Sequence, residues 1–362
     1  MQASSLSNRA PGRARLAILL ALVVLAPVYI SLAPSSELRA TEPMSADDDI
    51  ELKLYTLYLS SQNTSAGGDG HITTKVPESG GQDSSSALDS EVEFRSSDML
   101  SSLIVYGRSQ HGSSGSYYLP LDLFLRATGP SGSTVEWSIT LKAGGSQVGT
   151  ASWDTDACTQ SFQNSCSFDH EEFEIDLEED QSFIISKDER MEISVSAEMS
   201  GCDGGSFPGG SSCEAEVAWN EIDDENNRFS QLEVEANAIS NSLVVLQREG
   251  AELAEGPELD WYPNDILSER AMQFTFDVKS AFGRYDIEAT RLIMRDPNGI
   301  YRIDHIINED DEDIEDTSQG IFGEYIWTYP SGLPAGEYSV ELEITDIQGN
   351  AFLIEHDPVE MH

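Results

Sequence analysis

Val135–Leu141 reads Val-Glu-Trp-Ser-Ile-Thr-Leu, and its alternation decides the fold class. Successive side chains of an extended chain point to opposite faces, so Val135, Trp137, Ile139 and Leu141 share one face and Glu136, Ser138 and Thr140 the other. That pattern is a half-buried antiparallel strand. The same arithmetic picks out Phe173, Ile175 and Leu177, then Met191, Ile193, Val195 and Ala197, then Ala215, Val217 and Trp219, then Leu232, Val234 and Ala236. No segment here keeps a helical period.

Upstream, LKLYTLYLS after Glu51 is rich in β-formers, and Val92 with Phe94, Leu103–Tyr106 and Tyr117–Ala127 read as further strands. Pro120 lacks an N–H and is expected to mark its strand as an edge. Ser60–Ser90 is dominated by Ser, Gly, Asn and Asp and reads as a long loop, with a glycosylation sequon at Asn63-Thr64-Ser65. Short strands between Gly, Pro, Ser and Asp clusters imply two packed sheets. Residues 51–240 are therefore expected to form a jelly-roll-like β-sandwich.

Near Asn241 the pattern restarts. Met272, Phe274, Phe276 and Val278 alternate strongly, and Asp296-Pro297-Asn298-Gly299 separates two β-forming runs with the residues of a hairpin turn. Leu333–Ile354 reads LPAGEYSVELEITDIQGNAFLI: Tyr338, Val340, Leu342 and Ile344 share one face, and Asp346-Ile347-Gln348-Gly349-Asn350 turns the chain into a last strand. This piece resembles the closing hairpin of PKD-type and other immunoglobulin-like domains of secreted surface proteins, where a Gly-x-Tyr-x-Val strand enters an Asp-x-x-Gly-Asn turn. The Asp-Pro-Asn-Gly hairpin also resembles those of macroglobulin-type sandwiches. The resemblance spans roughly 242–355 and implies an immunoglobulin-like β-sandwich over 241–362, acting as a spacer or adhesion module. All-β, with two antiparallel sandwich domains, is the expected architecture.

Before these domains, Leu16–Ala33 passes 18 residues without a charge and follows Arg9, Arg13 and Arg15. The length suits either a single membrane span or a signal's apolar core, and neither Ser31-Leu32-Ala33 nor Leu38-Arg39-Ala40 is a good cleavage site. Residues 1–15 are thus a cytoplasmic basic segment, 16–33 a transmembrane anchor or signal, and 34–50 an acidic, Ser- and Pro-containing linker. Everything beyond is placed outside the membrane, on the cell surface or secreted.

Composition narrows the partners. Asp and Glu number 65 against 20 Lys and Arg, a formal charge of −45. With acids spread among apolar residues, this reads as a folded, acidic, salt-screened surface of halophilic or marine type. Nucleic acid is excluded as a partner, because phosphate binding needs clustered Lys and Arg. Cys158, Cys166, Cys202 and Cys213 form an even set and read as two local disulfides, Cys158–Cys166 and Cys202–Cys213.

No G-x-S-x-G elbow, H-E-x-x-H pair, P-loop or dinucleotide fingerprint occurs. His170, in Asp169-His170-Glu171-Glu172, reads as a solvated loop histidine ahead of a metal ligand or base. Asp223, Asp224 and Asn226, and then Asp310, Asp311 and Asp313, are oxygen-rich loop clusters of the kind calcium takes. Trp153, Tyr117 and Tyr118 are candidates for stacking on sugars, whereas Trp137 and Trp219 share faces with aliphatic residues and belong in the core. The expected function is a non-catalytic binding or structural protein of the cell surface, with a glycan or surface protein as partner. A carboxylate-dependent glycan hydrolase and a subunit of a surface-layer or export assembly are the alternatives.

Overall fold

The computed structural model describes residues 52–61, 67–77, 83–109, 116–159, 166–178, 181–202, 213–223, 228–249, 252–253, 271–307, 314–317 and 320–362. The run expected to span the membrane, Leu16–Ala33, and the sequon at Asn63 lie outside them. Among the described residues there is no α-helix, and none long and apolar enough to cross a membrane.

The early strands are β1 (Lys53–Ser60), β2 (Gly70–Thr73), β3 (Asp83–Ser86), β4 (Val92–Ser96), β5 (Leu103–Tyr106), β6 (Arg108–Ser109), β7 (Tyr117–Thr128) and β8 (Thr134–Ala143). Next come β9 (Ser146–Asp156), β10 (Asp169–Leu177), β11 (Ser182–Ile185), β12 (Met191–Ser200), β13 (Glu214–Trp219), β14 (Glu221–Asp223), β15 (Arg228–Phe229) and β16 (Gln231–Asn237). The last part contributes β17 (Ile239–Glu249), β18 (Glu252–Leu253), β19 (Ala271–Ser280), β20 (Ile287–Arg295) and β21 (Tyr301–Ile307). It ends with β22 (Ile314–Thr317), β23 (Gly320–Thr328), β24 (Gly336–Asp346) and β25 (Ala351–Met361).

Nine of these close on themselves in the order β16-β1-β2-β4-β12-β8-β9-β10-β7, the ring being completed by β16 against β7. All neighbours are antiparallel except β2 and β4, so the barrel is mixed. Its interior is a packed core. Tyr55, Leu57 and Leu59 of β1, Phe94 of β4, Leu119, Leu121 and Leu123 of β7, and Val135, Trp137, Ile139 and Leu141 of β8 are all buried. Trp137 is 1 % exposed. The strand faces read from alternation are the faces that pack.

The two-sandwich expectation is corrected by this ring. Residues 51–240 contribute a closed barrel and not a jelly-roll-like sandwich, because alternation reports which face of a strand is buried and says nothing of which strands meet across the closure. The immunoglobulin-like reading of 241–362 and the PKD-type resemblance over 242–355 are corrected as well. Those residues complete a single compact unit with the barrel, Glu51–His362. They add a five-stranded sheet, β18-β17-β19-β23-β22, and a four-stranded sheet, β21-β20-β24-β25, whose buried residues join the barrel residues in one hydrophobic cluster. Within the four-stranded sheet β25 is an edge, paired with β24 alone, and it contains Pro358. Two local expectations also change. The polar stretch Ser60–Ser90 contributes β2 and β3. Strand β7 is internal despite Pro120: it pairs with β10 on one side, and on the other with β6, β16 and β13 in turn. Pro120 lies between the β6 and β16 contacts, where that side asks no ladder bond of it.

The barrel meets the C-terminal sheets through buried polar groups. The turn at 346–350 is closed by the Asp346 carboxylate, whose Oδ1 accepts from the backbone N–H of Gln348 (2.9 Å) and Asn350 (2.8 Å). It carries Gln348 into the barrel wall, where Nε2 donates to the carbonyls of Thr56 (2.6 Å) and Thr74 (2.9 Å) while Oε1 accepts from the Thr56 N–H (2.9 Å). Nearby, Asp286 is fully buried and accepts from the hydroxyls of Thr74 (2.7 Å) and Ser280 (2.6 Å).

Burial pushes the Asp286 carboxyl up to about 6, with the hydrogen bonds from Ser280 and Thr74 opposing and Asp346 adding to the rise. A carboxyl whose folded value lies above its unfolded one stabilises the fold at low pH, and that contribution is lost as pH rises through the folded value. Lowering the pH from 8 to 5 is therefore expected to stabilise the parent over Asp286→Asn by about 1 kcal/mol. Urea unfolding of both proteins at the two pH values checks it; a pH-independent difference contradicts it.

Candidate functional site

Strands β9 and β10 pair only at Thr150 opposite Asp176 and Gly149 opposite Leu177. Beyond that point β9 follows β8 and β10 follows β7, and the barrel wall opens into a cleft of about 510 Å³. Ala151, Ser152 and Trp153 come from β9, Glu172, Phe173 and Glu174 from β10, Tyr118, Pro120 and Asp122 from β7, and Arg108 from β6. A larger groove of about 640 Å³ lies beside Thr56, Thr74, Tyr285 and Gln348. Gln348 bonds Thr56 and Thr74 there and holds the barrel to the C-terminal turn, so the β9–β10 cleft is the better candidate.

One tryptophan of a cross-strand pair forms part of this cleft. Trp153 sits directly opposite Trp137. Trp137 is buried among the barrel's aliphatic residues, whereas the parting of β9 from β10 leaves Trp153 49 % exposed. Identical side chains in register thus have different roles: one packs, and the other offers an aromatic face to solvent.

The polar residues come from strand register. Asp122 is opposite Glu172 on β10 and opposite Gln231 on β16, and His170 is opposite Phe124. Residues two apart on a strand share a face, so His170 and Glu172 both approach Asp122. Gln231 Nε2 donates to Asp122 Oδ2 (3.0 Å), and His170 Nε2 lies 3.6 Å from Asp122 Oδ1. Burial pushes the Asp122 carboxyl above the usual range; the Gln231 hydrogen bond and His170 oppose the rise, and Glu172 and Glu233 add to it. The His170 ring rests against Phe124 with centroids 5.1 Å apart. Arg108 pairs with Glu233 at 2.9 Å.

Of the stacking candidates, Trp153 and Tyr118 line the cleft and Tyr117 does not. His170 stands in strand β10 and not in a loop, half-buried, because the strand already begins at Asp169. Asp122, Glu172 and Arg108 were not singled out by sequence, since nothing distinguishes them from the other charged residues of the chain. Cys158 is bonded to Cys166, and Cys202 to Cys213. Of the expected calcium ligands, Asp223 falls in β14, while Asp224, Asn226, Asp310, Asp311 and Asp313 lie outside the described residues.

The sequence matches no protein-family model and no curated protein. Three solved structures are similar in part. A CocE/NonD family hydrolase from Staphylococcus aureus is 13 % identical with a TM-score of 0.31, over 51 % of this chain and 36 % of that one. An α-amino acid ester hydrolase is 11 % identical with a TM-score of 0.30, over 50 % and 36 %. A DUF4785 family protein from Legionella pneumophila is 10 % identical with a TM-score of 0.21, over 91 % and 71 %. The chain spans little more than a third of the two hydrolases it matches. At such identity and superposition the activities of those proteins do not transfer to this one.

Proposed function

We propose that this protein is a non-catalytic extracellular binding protein of the cell surface, and that it takes a saccharide in the β9–β10 cleft. The observation that carries this reading is Trp153, a half-exposed indole on a rigid strand beside Asp122, Glu172, Glu174 and Arg108. A flat aromatic face with hydrogen-bonding groups at its rim suits a pyranose ring, which has one apolar face and equatorial hydroxyls. The two disulfides belong with an oxidising compartment, and the run Leu16–Ala33 would export or tether the chain. The charge of −45 opposes polyanionic ligands and favours neutral ones.

The test is a panel of neutral oligosaccharides measured by calorimetry. Trp153→Ala should weaken a binding ligand about tenfold or more, equivalent to about 1.4 kcal/mol, while the fold loses less than about 1 kcal/mol of stability. Unchanged affinity in that variant would remove the cleft from the binding reaction.

A glycan hydrolase is the second reading, favoured by Asp122 facing Glu172 across paired strands with its carboxyl pushed up by burial. A carboxyl raised by burial beside a second carboxylate is the pairing that glycoside cleavage uses. Release of reducing ends, abolished in Asp122→Asn, would replace the binding reading with this one.

A further inference from the structure

We infer that Asp122, His170 and Glu172 form a three-ligand site for a divalent transition-metal ion, zinc by its donor set, with the remaining coordination position turned to the cleft. This goes beyond the saccharide reading and stands or falls separately from it.

The spacing of the ligand atoms carries the inference. One carboxylate oxygen of Asp122, one of Glu172 and an imidazole nitrogen of His170 all lie within 4.8 Å of one another. His170 Nε2 and Asp122 Oδ1 are 3.6 Å apart. That is too long for a hydrogen bond, which would draw them to about 3 Å. A tetrahedral ion with bonds of about 2.1 Å instead keeps its ligand atoms about 3.4 Å apart. The pair is thus already at the separation of two tetrahedral ligands, and a small rotation of the more exposed Glu172 side chain completes a face.

The surroundings fix two of the three ligands. Gln231 holds Asp122 Oδ2, which leaves Oδ1 directed at His170. Phe124 backs the His170 ring and limits its rotation. These supports come from β16 and β7, and the donors themselves stand on two adjacent strands of the closed barrel, β7 and β10, and not on a loop. Outer partners of this kind orient ligands in metal sites. One imidazole with two carboxylates is a nitrogen-and-oxygen set that suits zinc and its first-row neighbours better than calcium, which takes six to eight oxygens. Three protein ligands with a fourth position facing a cleft is the open arrangement, in which a bound hydroxyl or water completes the shell.

The experiment is calorimetric titration of the full-length, disulfide-intact protein with zinc, in about 1 M salt with excess magnesium to suppress diffuse attraction to the acidic surface. One equivalent is expected to bind, and His170→Ala, Asp122→Asn and Glu172→Gln should each weaken it at least tenfold. Glu198→Gln, which removes an exposed carboxylate of β12 outside the cleft, should leave it unchanged. Cobalt in place of zinc should give a visible absorption band that His170→Ala abolishes, which reports nitrogen ligation directly. Absence of saturable zinc binding, equal weakening by Glu198→Gln, or a cobalt spectrum indifferent to His170 would each overturn the site. None of these results depends on whether a saccharide binds.

Discussion

Trp137→Ala should lower the free energy of unfolding by about 3–5 kcal/mol, the range for deleting a large aromatic from a packed interior. The indole is 1 % exposed at the centre of β8, between Val135 and Ile139 on the same inward face, and β8 pairs along its full length with β9 and β12. The barrel cannot collapse readily around such a hole, because β8 itself is held by ladder bonds to β9 on one side and β12 on the other, so most of the cavity persists. Trp153→Ala is the internal control. It removes the same side chain from the directly opposed position, yet Trp153 is half-exposed and the loss should stay below about 1 kcal/mol. Guanidinium unfolding of the two variants, with disulfides intact, measures both numbers; equal losses would mean that the two tryptophans are not differently placed.

Gln348→Ala should destabilise by about 2–3 kcal/mol, out of proportion to a half-buried side chain. The amide satisfies two carbonyls and one N–H of β1 and the segment after β2, and alanine leaves all three without their partner. Water entering the adjoining groove replaces part of the loss, which sets the upper limit. Because this side chain links the 346–350 turn to the barrel, the variant should also lose cooperativity, with the C-terminal sheets opening before the barrel. Hydrogen exchange resolved by segment would show β24 and β25 protected less than β8 and β12. Gln348→Glu keeps an acceptor for the Thr56 N–H but loses the donors, and should fall between the two.

What alternation could say, it said correctly. The inward faces of β8, β12, β16, β19 and β24 follow from period two alone, since a strand's two faces are a local property. The Asp296–Gly299 hairpin between β20 and β21 is equally local: Asp296 Oδ1 accepts from the N–H groups of Asn298 and Ile300 and so shapes its own turn. Closure of the ring is not local. The parallel contact of β2 with β4 and the meeting of β7 with β16 join segments whose own sequences carry no mark of the partner. A sheet that closes and two sheets that stack show the same alternation, which is why a pair of sandwiches was the natural reading. The cleft was hidden for the same reason. Trp153 was recognisable as an aromatic outside a strong apolar pattern, but Asp122 and Glu172 are two acids among 65, and register alone brings them together. His170 was read as a solvated loop residue because Asp-His-Glu-Glu contains no β-former, although the strand starts there.

Strand β25 gives the closed barrel its contrast. The ring of nine strands is closed, but among the described residues β25 forms a ladder with β24 alone and is an edge of its sheet. A row of bare amides of that length is the template on which another chain adds a strand and aggregation begins. Pro358 removes one donor from the row, and Glu355, Asp357 and Glu360 stand exposed along it, so an added copy of the same strand would set like charges side by side. The charges along β25 therefore oppose the growth of this sheet by addition of a second copy of the strand.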